Sequence, residues 1–550
     1  MLSGSQAGHR RCYFLTGPGC TSSFGPLQVC RRHRAGCSDS ECAVIMIRIA
    51  RFVRPLLVGA FLCATVSGAT TSSAVAAESP CDPTDLTGFA VGLPTAPLPN
   101  GQSGTLGRVE VHNEVPLGEV NAEKPRGGRV ILRASLGDEQ QIGDRFGAAV
   151  AIADIDGDNC SDLVVGAPGV DGGGALYVIF GTRAGLGTGA SLRIPLQARP
   201  GDEFGDALAV ESVRSPTTQR VSGRIWIGAP GRDVSGQADA GAVAYTEVVD
   251  RVASAPRLYT QDTPGVPGRP EPGDRFGEEL AALRWYDVSG GGVLVGQPSE
   301  DIGPHKDAGM VTVLPTPGAP PAGPGPYAVT QNTQGIPGAV EAGDRFGAAV
   351  DAFRDVGWVG VPGEDLGAVR DAGMVQGLRI GATRATSLSV LRQGKDSGVT
   401  IPGRPEAGDH FGASVRGGQL DYPDGDCNEA QVVIGVPGED VGTVKDAGAA
   451  VSYFGHDRDP LSCLPGDGFS LGANARPGDH LGAAVGRTHT DSFENADVLL
   501  LGIPGSDVAT AVDAGVVLKG RFPRTTQPQS VYTESDGALP GGHYGAVLSR

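Results

Sequence analysis

One nine-residue segment has the residue types and spacing to do chemistry: Asp154-Ile155-Asp156-Gly157-Asp158-Asn159-Cys160-Ser161-Asp162. Its carboxylates stand at loop positions 1, 3, 5 and 9, where they can converge on one hard cation. The Cys160 backbone carbonyl is placed at position 7, and Gly157 permits the tight turn. Six or seven oxygens at roughly 2.3–2.6 Å suit Ca²⁺, whereas Mg²⁺ prefers to keep several waters. The expected ligands are therefore Asp154, Asp156, Asp158, Asp162 and the carbonyl of Cys160. An EF-hand is excluded, because position 12 is Val165 instead of a bidentate Glu and both flanks read as strands. The competing reading is a solvated acidic turn, and four Asp at ligand spacing weigh against it. A structural role is expected, since the like charges of the loop would repel without a metal.

The elements that carry this loop belong to a repeat. GDRFGAAV at Gly143 returns as GDEFGDAL at Gly201, GDRFGEEL at Gly273, GDRFGAAV at Gly343, GDHFGASV at Gly408, GDHLGAAV at Gly478 and GGHYGAVL at Gly541. The spacing of about 58 to 72 residues is that of propeller blades, not of short solenoid repeats. Every start but the last leads into an apolar run ending in Gly-x-Pro: VVGAP at Val164, IWIGAP at Ile225, VLVGQP at Val293, WVGVP at Trp358, VVIGVP at Val432 and LLLGIP at Leu499. With 87 Gly, 41 Pro and few aromatics, the chain reads as turns and short strands, and its apolar runs are sufficient to bury a core. The expected fold is all-β, a seven-bladed propeller with blade starts near 143, 201, 273, 343, 408, 478 and 541.

The last start, Gly541, stands only nine residues before Arg550, so its blade lacks the Gly-x-Pro half. That half lies at the other end of the domain. Phe89-Ala90-Val91-Gly92-Leu93-Pro94 has the apolar run and Gly-x-Pro, and Gly107-Arg108-Val109-Glu110-Val111 matches the strand that follows. Residues 86–135 are thus expected to complete the seventh blade, removing the free sheet edges of an open ring. The propeller as a whole is assigned to 81–550.

This order of motifs resembles the FG-GAP repeat of integrin α-chain propellers, in a secreted bacterial form, over nearly the whole of 81–550. The Asp154–Asp162 loop is similar to the D-x-D-x-D-G-x-x-D cation loops of that family, at the same place in the repeat and with Gly shifted by two. The family typically has three or four such loops. Here repeat five offers Asp421, Asp424 and Asp426 at other offsets and repeat six Asp491 and Glu494, so one calcium site is expected, with a second left open. The resemblance implies protein recognition or adhesion. It also leaves a hydrolase open, because FG-GAP propellers occur attached to a phospholipase domain.

Two further sets of residues were weighed for chemistry. His410, His480 and His543 share one slot, filled by Arg145, Glu203, Arg275 and Arg345 in the other repeats, and read as loop histidines because equivalent positions ring a propeller axis at a distance from one another. Asp365, Asp371, Asp440 and Asp446 recur in GEDLGAVRDAG and GEDVGTVKDAG and read as Asx-capped turns, with a cation-binding rim as the minor alternative. The chain lacks G-x-S-x-G after residue 77 and H-E-x-x-H, so it is expected not to be an enzyme.

The N-terminal region reads as targeting sequence. Arg48, Arg51 and Arg54 precede an apolar stretch from Pro55 to Val66 and a small-residue end at Ala74-Val75-Ala76-Ala77, so 46–77 is expected to be a secretory signal. Residues 1–45 are expected to be an upstream mis-start or a disordered leader. Residues 1–77 carry 8 Arg against 2 acids, leaving 36 basic against 60 acidic residues beyond them, which argues against nucleic acid and for divalent cations. Cys81, Cys160, Cys427 and Cys463 remain after cleavage. Four Cys allow three connectivities, among them Cys81 with Cys160 and Cys427 with Cys463. The functional expectation is a secreted, monomeric, calcium-stabilised binding or adhesion module for an extracellular protein or glycan, with no membrane span after cleavage. A hydrolase and a structural envelope component are the alternatives.

Overall fold

The computed structural model describes residues 81, 88–97, 104–113, 128–215, 218–284, 290–318, 325–396, 399–418, 431–454, 468–488, 498–520, 530–534 and 539–549. The signal assigned to 46–77, the leader, Cys427, Cys463, Asp421, Asp424, Asp426, Asp491 and Glu494 lie outside them. Seven antiparallel sheets, the blades, account for nearly all regular structure, with short 3-10 turns at Arg133–Leu136, Val170–Gly172 and Gly472–Asn474. Blade 1 runs Ala149–Ala153, Asp162–Ala167, Ala175–Ile179 and Ser191–Arg193 from the axis outward. Its loop sequence, FG entry and Gly-x-Pro end set the pattern for the others.

Each FG entry is a tight turn that turns the chain into an innermost strand. The slot residues Arg145, Glu203, Arg275, Arg345, His410, His480 and His543 all have φ between 48 and 59°, and the Gly two residues later has φ between 87 and 97°. Between them the side chain of Phe146, Phe204, Phe276, Phe346, Phe411, Leu481 or Tyr544 is buried. The preceding Asp fixes the turn, its Oδ2 accepting the N–H three residues back at 2.6 Å in Asp144, Asp274, Asp344 and Asp409 and 2.7 Å in Asp202 and Asp479. The histidines keep to this architecture: Nδ1 of His410, His480 and His543 lies 3.2, 3.1 and 3.2 Å from the carbonyl oxygens of Pro362, Pro437 and Pro504.

The second strand of each blade is the apolar run, and period-2 alternation explains why it is apolar throughout. Leu163, Val165 and Ala167 pack against blade 7, while Val164 packs against blade 2. Apolar clusters fill all seven blade-to-blade interfaces, so a second strand has no solvent face to place polar residues on. The Gly of Gly-x-Pro is required by the same packing. A Cβ on Gly166 would lie 1.9 Å from the carbonyl oxygen of Gly205 in the next blade's FG turn.

The ring closes through a composite seventh blade. Val547–Leu548 is its innermost strand, followed outward by Gly88–Leu93, Arg108–Asn113 and Arg129–Leu132, with Val91 opposite Leu548 and Gly92 opposite Val547. Polar contacts tie the two ends further. Ser549 N–H donates to the Ala90 carbonyl at 2.9 Å, Tyr544 Oη lies 2.6 Å from His112 Nε2, and Glu534 pairs with Arg108. Blade 7 has Gly542 where the other blades have the turn Asp, and Glu534 takes over, its Oε2 accepting the Leu539 N–H at 3.3 Å. The innermost strands of all seven blades surround an axial cavity of about 210 Å³.

Antiparallel pairing sorts the loops onto two faces. The FG turns and the loops between second and third strands share one face. The loops between first and second and between third and fourth strands share the other. On the first face, among the described residues, an Asp-closed loop recurs five times: Asp233, Asp301, Asp365, Asp440 and Asp507 accept the N–H six residues on, of Asp239, Asp307, Asp371, Asp446 and Asp513, at 2.9–3.1 Å. The Asp154–Asp162 loop lies on the second face. Among the described residues, no helix is long and apolar enough to cross a membrane.

Candidate metal centre

The loop is held between the innermost strand Ala149–Ala153 and the second strand Asp162–Ala167, so its first and last carboxylates are brought together by the ladder itself. Ile155 is fully buried beneath the loop in the cluster shared with blade 2, and Gly157 has φ 84° at the tip. Oxygens of Asp154, Asp156 and Asp162 all lie within 4.8 Å of one another.

Each carboxylate is oriented by backbone donors. Asp162 Oδ2 accepts the Ile155 N–H and its Oδ1 the Gly181 N–H, both at 2.7 Å. Asp154 accepts from Gly157 at 2.7 Å and from Asn159 at 3.2 Å, and Asp156 Oδ1 accepts from Asp158 at 3.2 Å. A carboxylate has about four lone-pair sites, so these bonds leave capacity for a cation. Burial pushes the Asp162 carboxyl up to about 8, the nearby Asp156 and Asp154 adding to the shift against the two backbone donors. Asp154 is also raised, chiefly by burial. Carboxylates crowded and desolvated in this way call for positive charge, and an all-oxygen donor set fits a hard divalent ion.

Of the four expected carboxylates, three converge. Asp158 is turned outward: its Oδ1 accepts the Cys160 N–H at 2.8 Å, and its Oδ2 lies 3.5 Å from Arg251 Nη2. Cys160 is buried and disulfide-bonded to Cys81, with Cα atoms 5.2 Å apart, and the Cys81 N–H donates to the Asp158 carbonyl at 3.2 Å. The start of the closing blade is thereby anchored on the loop. Two contributors escaped the sequence reading. Arg251 comes from blade 2, its Nε 2.5 Å from Asp156 Oδ2, and the Ser212 hydroxyl of the same blade donates to the Asp154 carbonyl. Nothing local in Val249-Asp250-Arg251-Val252 signals more than a turn.

The FG-GAP repeat family matches residues 146–179, the segment that holds this loop. No curated protein matches the chain. Among solved structures it is similar to two mutants of Synechocystis apocarotenoid oxygenase. One is 10% identical with a TM-score of 0.42, covering 86% of this chain and 94% of the other. The second is 11% identical with a TM-score of 0.39, covering 83% and 91%. A fucose-specific lectin from Aleuria aurantia (Hg-derivative form) is 8% identical with a TM-score of 0.31, covering 72% of this chain and 99% of the lectin. With seven blades built on one FG entry and one Gly-x-Pro strand end, and the family match lying on the first of them, this chain is an FG-GAP β-propeller protein.

Proposed function

We propose that this protein is a secreted, calcium-stabilised FG-GAP β-propeller that acts as an extracellular binding or adhesion module through loops on one face of the disc. The convergence of Asp154, Asp156 and Asp162 within 4.8 Å carries the calcium assignment. Asp158 and the Cys160 carbonyl, at positions 5 and 7 of the same loop, are the further oxygens that its sequence offers. When bound, the ion supplies charge neutralisation and pins the hairpin. Secretion is supported by the signal-like segment 46–77 and by the Cys81–Cys160 disulfide, which suits an oxidising compartment. The binding role draws on the repeated Asp-closed loops of the FG face, in which one side-chain-to-backbone bond recurs five times around the axis. An extracellular protein or glycan is the partner class.

Titration calorimetry with Ca²⁺ tests the reading. One ion bound per chain, lost in the double substitution Asp156→Ala with Asp158→Ala, is the expected result. No heat with the wild type, or heat untouched by the double substitution, would remove the calcium assignment. Retention on immobilised extracellular proteins and glycans, with and without chelator, tests the binding role.

A further inference from the structure

Arg251 reaches the metal loop from a backbone position that arginine rarely takes. Asp250 and Arg251 are the two central residues between the blade 2 strands Ala242–Val249 and Val252–Ala253, with φ of 50° and 64°. Two positive φ values in a two-residue hairpin loop favour Asn-Gly or Asp-Gly, and a long side chain at the second position is strained. The strain aims the side chain out of its own blade. The guanidinium lies across the blade 1 boundary, Nε 2.5 Å from Asp156 Oδ2 and Nη2 3.5 Å from Asp158 Oδ2, with Cζ 4.6 Å from the centre of the Phe180 ring. A cation over an aromatic face is held there electrostatically as well as by packing.

The position of this charge is specific. Asp154 and Asp162 bond backbone amides, whereas Asp156, the third converging carboxylate, carries a side-chain cation on the oxygen its backbone bond leaves free. The Asp156 side chain is 5% exposed and that of Arg251 47%, so the guanidinium covers the loop from the solvent side. A divalent ion that ligates Asp156 meets a positive charge already on the same carboxylate. It must share that carboxylate with the arginine or displace it.

We propose that Arg251 is a built-in stand-in for the metal: it neutralises the empty loop and, by competing for Asp156, sets the affinity for Ca²⁺. The inference rests on the calcium reading above. Opposed consequences follow from the two roles. Removing the charge destabilises the metal-free protein and tightens metal binding, because the occupied carboxylate is released and a like charge is withdrawn.

Arg251→Gln removes the charge and keeps a polar side chain, and Arg251→Gly removes the charge with a residue suited to the turn. Both are compared with the full wild-type chain by Ca²⁺ calorimetry and by thermal melting in EDTA. The expected result is a dissociation constant lowered roughly tenfold in both variants, together with a lower EDTA melt for Arg251→Gln and a larger rise in melting temperature on adding Ca²⁺. Wild type that binds Ca²⁺ with variants of equal or weaker affinity overturns this inference and leaves the calcium reading standing. No Ca²⁺ binding by any of the three overturns both.

Discussion

Gly92 and Gly147 meet backbone to backbone where blade 7 packs on blade 1: a Cβ built on Gly92 would lie 2.0 Å from the Gly147 carbonyl oxygen. The same contact, between the Gly of a Gly-x-Pro end and the FG Gly of the next blade, recurs at Gly166, Gly228, Gly296, Gly360, Gly435 and Gly502, at 1.9–2.3 Å. Both halves of the motif are therefore one interface, repeated around the disc.

Gly92→Ala is expected to destabilise the whole domain by about 1–3 kcal/mol, the usual cost of overpacking a rigid contact. Gly325→Ala, where an added Cβ meets nothing within 4 Å, serves as the control and should leave the melt unchanged. Equal melting temperatures for the two variants would contradict this blade-to-blade contact.

Deleting residues 541–550 removes the innermost strand of blade 7 and the Tyr544–His112 bond. The melting temperature of the domain should fall by more than it does in Tyr544→Phe, which loses the bond alone, at about 1–3 kcal/mol for leaving a buried partner unsatisfied. An unchanged melt after the deletion would count against a ring closed by both ends of the domain.

Buried turn acids give stability a defined pH slope. Burial, with neighbouring acids, pushes Asp274, Asp344 and Asp409 up to about 7 and Glu300 up to about 8. Their ordinary values are about 4. The folded protein holds protons the unfolded chain releases, so this contribution is fully present below about pH 4 and is lost as pH rises through 7 to 8. In EDTA, the melt should be higher at pH 5 than at pH 8.5. Asp344→Asn keeps an acceptor for the Glu341 N–H and should flatten part of the slope; a melt that rises from pH 5 to 8.5 would refute the assignment.

The Cys81–Cys160 bridge spans 79 residues and ties the first residues of the domain to the Asp154–Asp162 loop. Reduction, or Cys81→Ser with Cys160→Ser, should cost about 2–5 kcal/mol in a denaturant titration. Identical oxidised and reduced midpoints would show that the bridge does not constrain the fold.

The repeat was legible in the residues themselves, because its parts are local. A turn that needs Gly, a large buried apolar side chain and a positive-φ slot leaves a similar eight-letter trace seven times, and the halves at Gly541 and Phe89 complete one another on inspection. The spacing of Asp154, Asp156 and Asp162 likewise marks carboxylates that can converge. Tertiary structure decided the rest. It selected Asp154, Asp156 and Asp162 for convergence and turned Asp158 to an arginine 93 residues away. It chose Cys81 as the partner of Cys160 and put Glu534 where blade 7 lacks the turn Asp. Spacing within a loop states which oxygens can meet. Which of them are already taken depends on blade packing, which brings together groups that no local pattern relates.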